Sequence, residues 1–97
     1  MLKTTIHPGV HLQELLDELG VSQSTLARHI GVKPSLINEV CCGRRRISPQ
    51  LAERLAVAFG SSVEFWLTLQ MQYELGKAKS RPLHFGRLPE VKEERAA

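Results

Sequence analysis

The sequence predicts an all-α domain of five short helices. Three observations predict it. Apolar residues recur at helical spacing in successive stretches of the chain. Serine or proline opens most of these stretches and glycine closes them, as helix ends require. Aromatic residues are only 5% of the chain, and no β-branched run of sheet type occurs. At 97 residues, 42% of them hydrophobic and 24% charged, the composition is that of one ordinary globular domain with one modest core. That size excludes a large catalytic scaffold.

Residues 1–9 read as a short arm ending in Pro8-Gly9. From Val10, the residues Leu12, Leu15, Leu16 and Leu19 make one face of a first helix, which Gly20 ends. Ser22 is a good N-cap for a second, Gln23 to Ile30, with Leu26, Ala27 and Ile30 turned inward. Pro34 suits the first turn of a third, which reaches about Cys42 before Gly43, with Ile37 and Val40 inward. Ser48-Pro49 opens a fourth, whose buried stripe is Leu51, Leu55, Ala58 and Phe59 and whose end is Gly60. Ser61 and Glu64 read as a capping box for a fifth, running to about Leu75-Gly76. The domain is therefore expected over residues 10–76, with 77–97 a basic tail, partly disordered.

The two cysteines, Cys41 and Cys42, are adjacent, so they suit neither a disulfide nor a four-cysteine zinc site. They point to a reducing compartment, and no stretch has the apolar length of a membrane span or a signal pattern. The expected location is the cytoplasm, without membrane contact. The net charge of +3 is unevenly placed: residues 21–60 hold six bases against two acids, while residues 1–20 hold one base against three acids. A basic middle beside acidic helices suits a polyanion.

The spacing within residues 22–43 is that of a helix-turn-helix. Ala27 is the small residue where two helices cross, and Gly31, four on, is the turn residue that tolerates positive φ. Leu26, Ile30, Val32, Ile37 and Val40 close the corner. This window resembles the lambda-repressor-like DNA-binding domains in their five-helix form. The resemblance implies that the third helix is a recognition helix entering the major groove of double-stranded operator DNA.

On that helix the outward positions are Lys33, Pro34, Ser35, Leu36, Asn38 and Glu39, the candidate base contacts. Asn38 can pair with adenine through two hydrogen bonds, Lys33 can donate to guanine, and Ser35 can serve either. Glu39 either accepts from cytosine or faces water. Leu36 either touches a thymine methyl or widens the core. Gln23 and Ser24, at the start of the second helix, suit a phosphate, and Arg44, Arg45 and Arg46 on the following loop suit phosphates without sequence preference.

The fifth helix is apolar over too wide an arc for one core face. Trp66, Leu69 and Tyr73 form one stripe, Leu67, Met71 and Leu75 another, and Phe65 broadens the arc. Two-fold operators make a homodimer the economical use of the surplus, through Phe65, Trp66, Leu69, Met71 and Tyr73; the alternative is that the whole arc is core.

Over residues 6–79 the order of HPGVHLQELLDELGVSQSTLARHIGV, SLINEV, RRRIS and SSVEFWLTLQMQYEL resembles the HigA-type antitoxins of bacterial toxin–antitoxin modules. His7-Pro8-Gly9, Ile37-Asn38-Glu39 and Glu64-Phe65-Trp66-Leu67 are its more specific pieces. The resemblance implies a dimer that represses its own operon and neutralises a RelE-fold, mRNA-cleaving toxin by direct binding. Family members commonly carry Glu at Val10, a basic residue at Leu36 and a polar pair at Cys41-Cys42. These departures bear on N-terminal contacts and operator sequence, not on the fold. A partner that cleaves RNA presents a basic surface, so the acidic side of the first helix, Glu14, Asp17 and Glu18, is the candidate toxin contact; the same carboxylates suit a solvated face. The alternative function is a stand-alone transcriptional regulator with no toxin.

No enzyme, metal or cofactor reading stands beside these. His7 and His11 are four apart, yet Pro8-Gly9 between them argues against a helix, and no carboxylate follows at zincin spacing. There is no Gly-rich phosphate loop.

Overall fold

A computed structural model describes residues 6–89. It consists of α1 (Pro8–Leu19), α2 (Gln23–Ile30), α3 (Pro34–Cys41), α4 (Pro49–Phe59) and α5 (Val63–Lys79). Among the described residues there is no strand, so the all-α expectation holds. Residues 1–5 of the expected arm and 90–97 of the expected tail lie outside the described residues.

Local chemistry sets the helix ends. Gly20, Gly31 and Gly60 take the left-handed conformation and return their N–H groups to the last turns of α1, α2 and α4. Ser22 and Ser48 accept from the N–H groups of Thr25 and Leu51, each capping the helix that follows.

Two helix starts differ from the sequence reading. α1 begins at Pro8, two residues before Val10, because the His7 ring accepts from the Gly9 N–H at 2.8 Å and acts as the N-cap. Proline at the first helical position needs no donor, so Pro8-Gly9 opens the helix instead of ending an arm. Both residues are buried. Gly9 packs directly on the carbonyl of Val40, where a Cβ would overlap the oxygen. It is the crossing point of α1 over α3, and it explains why glycine follows His7-Pro8.

α5 is capped by Ser62, which accepts from the Phe65 N–H at 3.0 Å, and not by Ser61. Ser61 instead accepts from the indole N–H of Trp66 at 3.0 Å. The helix then runs three residues past Gly76, so 77–79 are helix and not tail. The remaining described residues, 80–89, are non-helical and exposed.

One core joins all five helices: Leu12 and Leu16 of α1, Leu26, Ala27 and Ile30 of α2, Ile37 and Val40 of α3, Leu51, Ala52, Leu55 and Ala56 of α4, Trp66 of α5, and Ile47 from the loop. Ala27 is fully buried where α2 meets α3, as the motif requires. Leu19, drawn on the inner face of the first helix, is exposed, because it is the last residue of α1 and lies at the edge of the core. Arg54 of α4 donates to the Ile30 carbonyl at 2.6 Å, which satisfies the end of α2 beside the Gly31 turn.

Candidate nucleic-acid interface

The exposed edge of α3, the start of α2 and the arginine loop share one side of the molecule, joined by side-chain bonds. Gln23, the first residue of α2, donates to Gln13 of α1 at 2.7 Å and accepts from Asn38 of α3 at 3.1 Å. Gln13 in turn donates to Asp17 at 2.9 Å. The Cys42 thiol lies 3.8 Å from the Asn38 oxygen. A polar chain thus runs from α1 through α2 to α3. Asn38 uses one amide hydrogen and one lone pair within it. One donor and one acceptor remain for a base edge, and the chain fixes the plane in which they are offered. Gln13 was not singled out from the sequence; its spacing to Asp17 was the available signal.

Lys33, Pro34 and Ser35 are exposed at the start of α3, as an N-terminal entry into a groove requires. Lys33, Ser35, Leu36 and Arg45 surround a shallow hollow of about 310 Å³. Leu36 is half-buried and packs against the core, so it is not the outward side chain that spacing suggested. Leu36 stands beside the fully buried Ile37 on α3, so its side chain lies at the edge of the core.

The arginine loop is less free than three consecutive guanidiniums suggest. Arg45 donates to Glu39 at 2.8 Å, and Arg46 donates to Glu74 of α5 at 2.9 Å. Arg44 is exposed and donates its backbone N–H to the Glu39 carbonyl. Glu39 therefore holds Arg45 instead of standing alone at a base edge. Glu74 is held below the ordinary carboxylate range by its bonds from Arg46 and Gln70. Gln70 is the only buried polar side chain among the described residues, 3% exposed. It accepts from the Ile47 N–H at 2.8 Å and donates to Glu74 at 3.0 Å. The loop is therefore pinned to α5 at Ile47 and Arg46. Gln70 was missed because a glutamine in an apolar helix, with Gln72 two residues on, reads as part of the solvent face.

His7 touches the same loop from the other side. Its ring lies edge-on to Tyr73 at 4.8 Å and against Gly43. Partial burial lowers its pKa, a hydrogen bond to the backbone of Arg45 opposes that shift, and the charge of Lys77 adds to it. The neutral ring suits its task, since the Gly9 N–H needs an unprotonated nitrogen. Burial pushes the Cys41 thiol up to about 11, with Cys42 and Asp17 adding to the shift, so Cys41 is a packing residue; Cys42 is exposed.

The expected dimer residues do not form one surface. Trp66 is fully buried, its indole packed near Phe59 and Phe65, so it belongs to the core and is unavailable to a second copy. Phe65 and Met71 are exposed, while Leu69 and Tyr73 are half-buried. Glu14 and Glu18 are exposed on α1, and Asp17 is exposed and engaged by Gln13. Among the described residues no group of acidic, histidine or cysteine side chains could hold a metal ion, and no helix is long and apolar enough to cross a membrane.

The helix-turn-helix family model matches residues 12–66, from the core of α1 to Trp66. An HTH-type transcriptional regulator of Escherichia coli K12, YddM, is 39% identical over 72 residues, covering 74% of this chain and 77% of its own. Among solved structures, an addiction module antidote protein of the HigA family from Coxiella burnetii superposes with a TM-score of 0.79 at 37% identity, covering 80% of this chain and 86% of that one. The antitoxin HigA of Pseudomonas aeruginosa, solved with the higBA promoter, gives 0.76 at 38% identity, covering 78% and 84%. None of these matches points to an enzyme. Match, fold and polar face agree: the chain belongs to the helix-turn-helix family of DNA-binding regulators, among its HigA-type antitoxins.

Proposed function

We propose that this protein binds its own operator as a homodimer through α3, represses the operon that encodes it, and neutralises a RelE-fold, mRNA-cleaving toxin by direct contact. The observation that carries the DNA half is the bond between Gln23 and Asn38. It ties the start of α2, which lies along the phosphate backbone in this motif, to the side chain best suited to read adenine. Base contacts are assigned to Lys33, Pro34, Ser35 and Asn38. Phosphate contacts are assigned to Gln23, Ser24 and the arginine loop, led by Arg44. The solved Pseudomonas relative is bound to its promoter, which supports the operator as ligand.

The homodimer uses the exposed apolar side of α5, centred on Met71 with Leu75 beside it. Glu14 and Glu18, with Asp17, offer the toxin an acidic surface on α1. The domain comprises α1 to α5, with residues 80–89 an appendage to it.

The test has two parts. The purified protein should retard a fragment from upstream of its own gene and not a scrambled fragment of equal length. Co-expression with the product of the neighbouring open reading frame should yield a stable complex that no longer cleaves mRNA. Operator binding with no protein partner would make it a stand-alone regulator.

A further inference from the structure

Beside the DNA face, a second feature of the molecule has no use within one copy. Leu15, Leu19, Phe59 and Phe65 line one apolar hollow of about 300 Å³, and Leu16, Leu19, Val21 and Phe59 line a neighbouring one of about 240 Å³. They share Leu19 and Phe59 and so form one groove across α1, α4 and the start of α5. At the other end of the chain, Leu83 and Phe85 are 75% and 77% exposed on a non-helical segment. They stand two residues apart, with a bend at His84 between them.

We propose that the segment 81–88 is an exchanged arm, and that Leu83 and Phe85 seat in the Leu15–Leu19–Phe59–Phe65 groove of a second copy. The inference rests on the α5 homodimer proposed above. A two-fold axis at Met71–Leu75 sets the two α5 helices antiparallel. Lys79 then lies opposite residue 67 of the other copy. Phe65 is two helical residues further, about 3 Å, and Ser61 and Phe59 lie beyond it. Ser80 completes the last turn of α5, and the three residues of non-helical chain from Ser80 to Leu83 span up to about 10 Å. That distance brings Leu83 and Phe85 to the mouth of the groove.

Charge agrees with this docking. Lys77, Lys79 and Arg81 lead into the arm, whereas Glu18 and Glu64 stand beside the groove, next to Leu15 or Leu19 on α1 and Phe65 on α5. Asp17 lies across α1 from Leu15 at helical spacing and stays uncovered, so the arm leaves part of the acidic face open to a toxin.

The experiment uses the full chain with p-benzoylphenylalanine at position 85, mixed with a chain of different mass, and sedimentation of single variants. Irradiation should join position 85 of one chain to peptides holding Leu15–Leu19 or Phe59–Phe65 of the other. Leu83→Asp with Phe85→Asp, on a segment outside the core, should weaken the dimer about tenfold or more. Leu19→Asp in the groove should weaken it similarly, while helicity is unchanged. A wild-type chain that is monomeric overturns the dimer and the arm together. A dimer that Met71→Asp dissociates, but that the arm and groove variants leave unchanged, overturns the arm alone. Cross-links only within one chain, or none to the groove, do the same.

Discussion

The backbone N–H of Ile47 donates to the side-chain oxygen of Gln70, 23 residues on, at 2.8 Å. Ile47 is fully buried and follows directly on the arginine loop. Its N–H has no helix to serve, so a side chain from α5 must satisfy it. Through the same amide Gln70 steadies Glu74, which holds Arg46. The helix proposed for dimer contact and the loop proposed for phosphate contact are thus one rigid unit.

Gln70→Leu keeps the volume and removes the acceptor. The Ile47 N–H is then buried without a partner, at a cost of about 1–3 kcal/mol in chemical denaturation. Arg46→Ala should cost much less, because its ion pair with Glu74 is exposed. Equal losses for the two variants would show that the ion pair, and not the buried amide, holds the loop.

Gly9→Ala should destabilise the domain by about 1–3 kcal/mol or more, since the added methyl meets the Val40 backbone and not a movable side chain. Helix propensity alone favours alanine here, so the sign of the change is diagnostic. Thermal unfolding that is unchanged or improved would place the α1–α3 crossing elsewhere.

Arg44→Ala should lower the slope of log affinity against log salt by about 0.9. Glu39→Gln and Glu74→Gln release Arg45 and Arg46 and remove negative charge, so each should strengthen binding to random DNA. Competition titrations at several salt concentrations check both. An unchanged slope for Arg44→Ala removes this side chain from the phosphate contacts.

Asn38→Ala should cost about 1–3 kcal/mol on the operator and much less on random duplex. Gln23→Ala removes the side chain that orients Asn38, so it should weaken the same base-pair preference while leaving Asn38 in place. Equal losses on operator and random DNA for Asn38→Ala would assign the residue to a backbone contact.

His7 sets a pH dependence. Its pKa in the folded chain is lowered from the ordinary 6.5, mainly by burial. The unfolded chain therefore binds the proton more tightly, and stability falls as pH drops below about 6.5 towards the folded value. Above 6.5 this contribution is fully present. His7→Asn keeps an N-cap acceptor without a titrating ring, and urea melts from pH 7.5 to 5 should show a flatter profile for it. A wild-type profile that is flat below 6.5 removes His7 as the cause.

The sequence by itself determined five helices, the turn at Gly31 and the exposed Lys33, Ser35 and Asn38. These follow from forces acting over a few residues: a serine oxygen reaching three positions on, a glycine accepting positive φ, an apolar side chain repeating each turn. Tertiary structure decided the rest. Whether Trp66 is core or interface depends on Phe59 closing over it and Ser61 taking its N–H. Whether three arginines are free depends on Glu39 and on Glu74, 28 residues from Arg46. His7 became a cap, not the end of an arm, because Gly9 could lie against Val40. The Arg46–Glu74 pair and the Gly9–Val40 contact join groups far apart in the chain, and the Trp66 and Glu39 contacts reach across a loop, so all of them form only once the helices have packed. Local periodicity carries no record of such meetings.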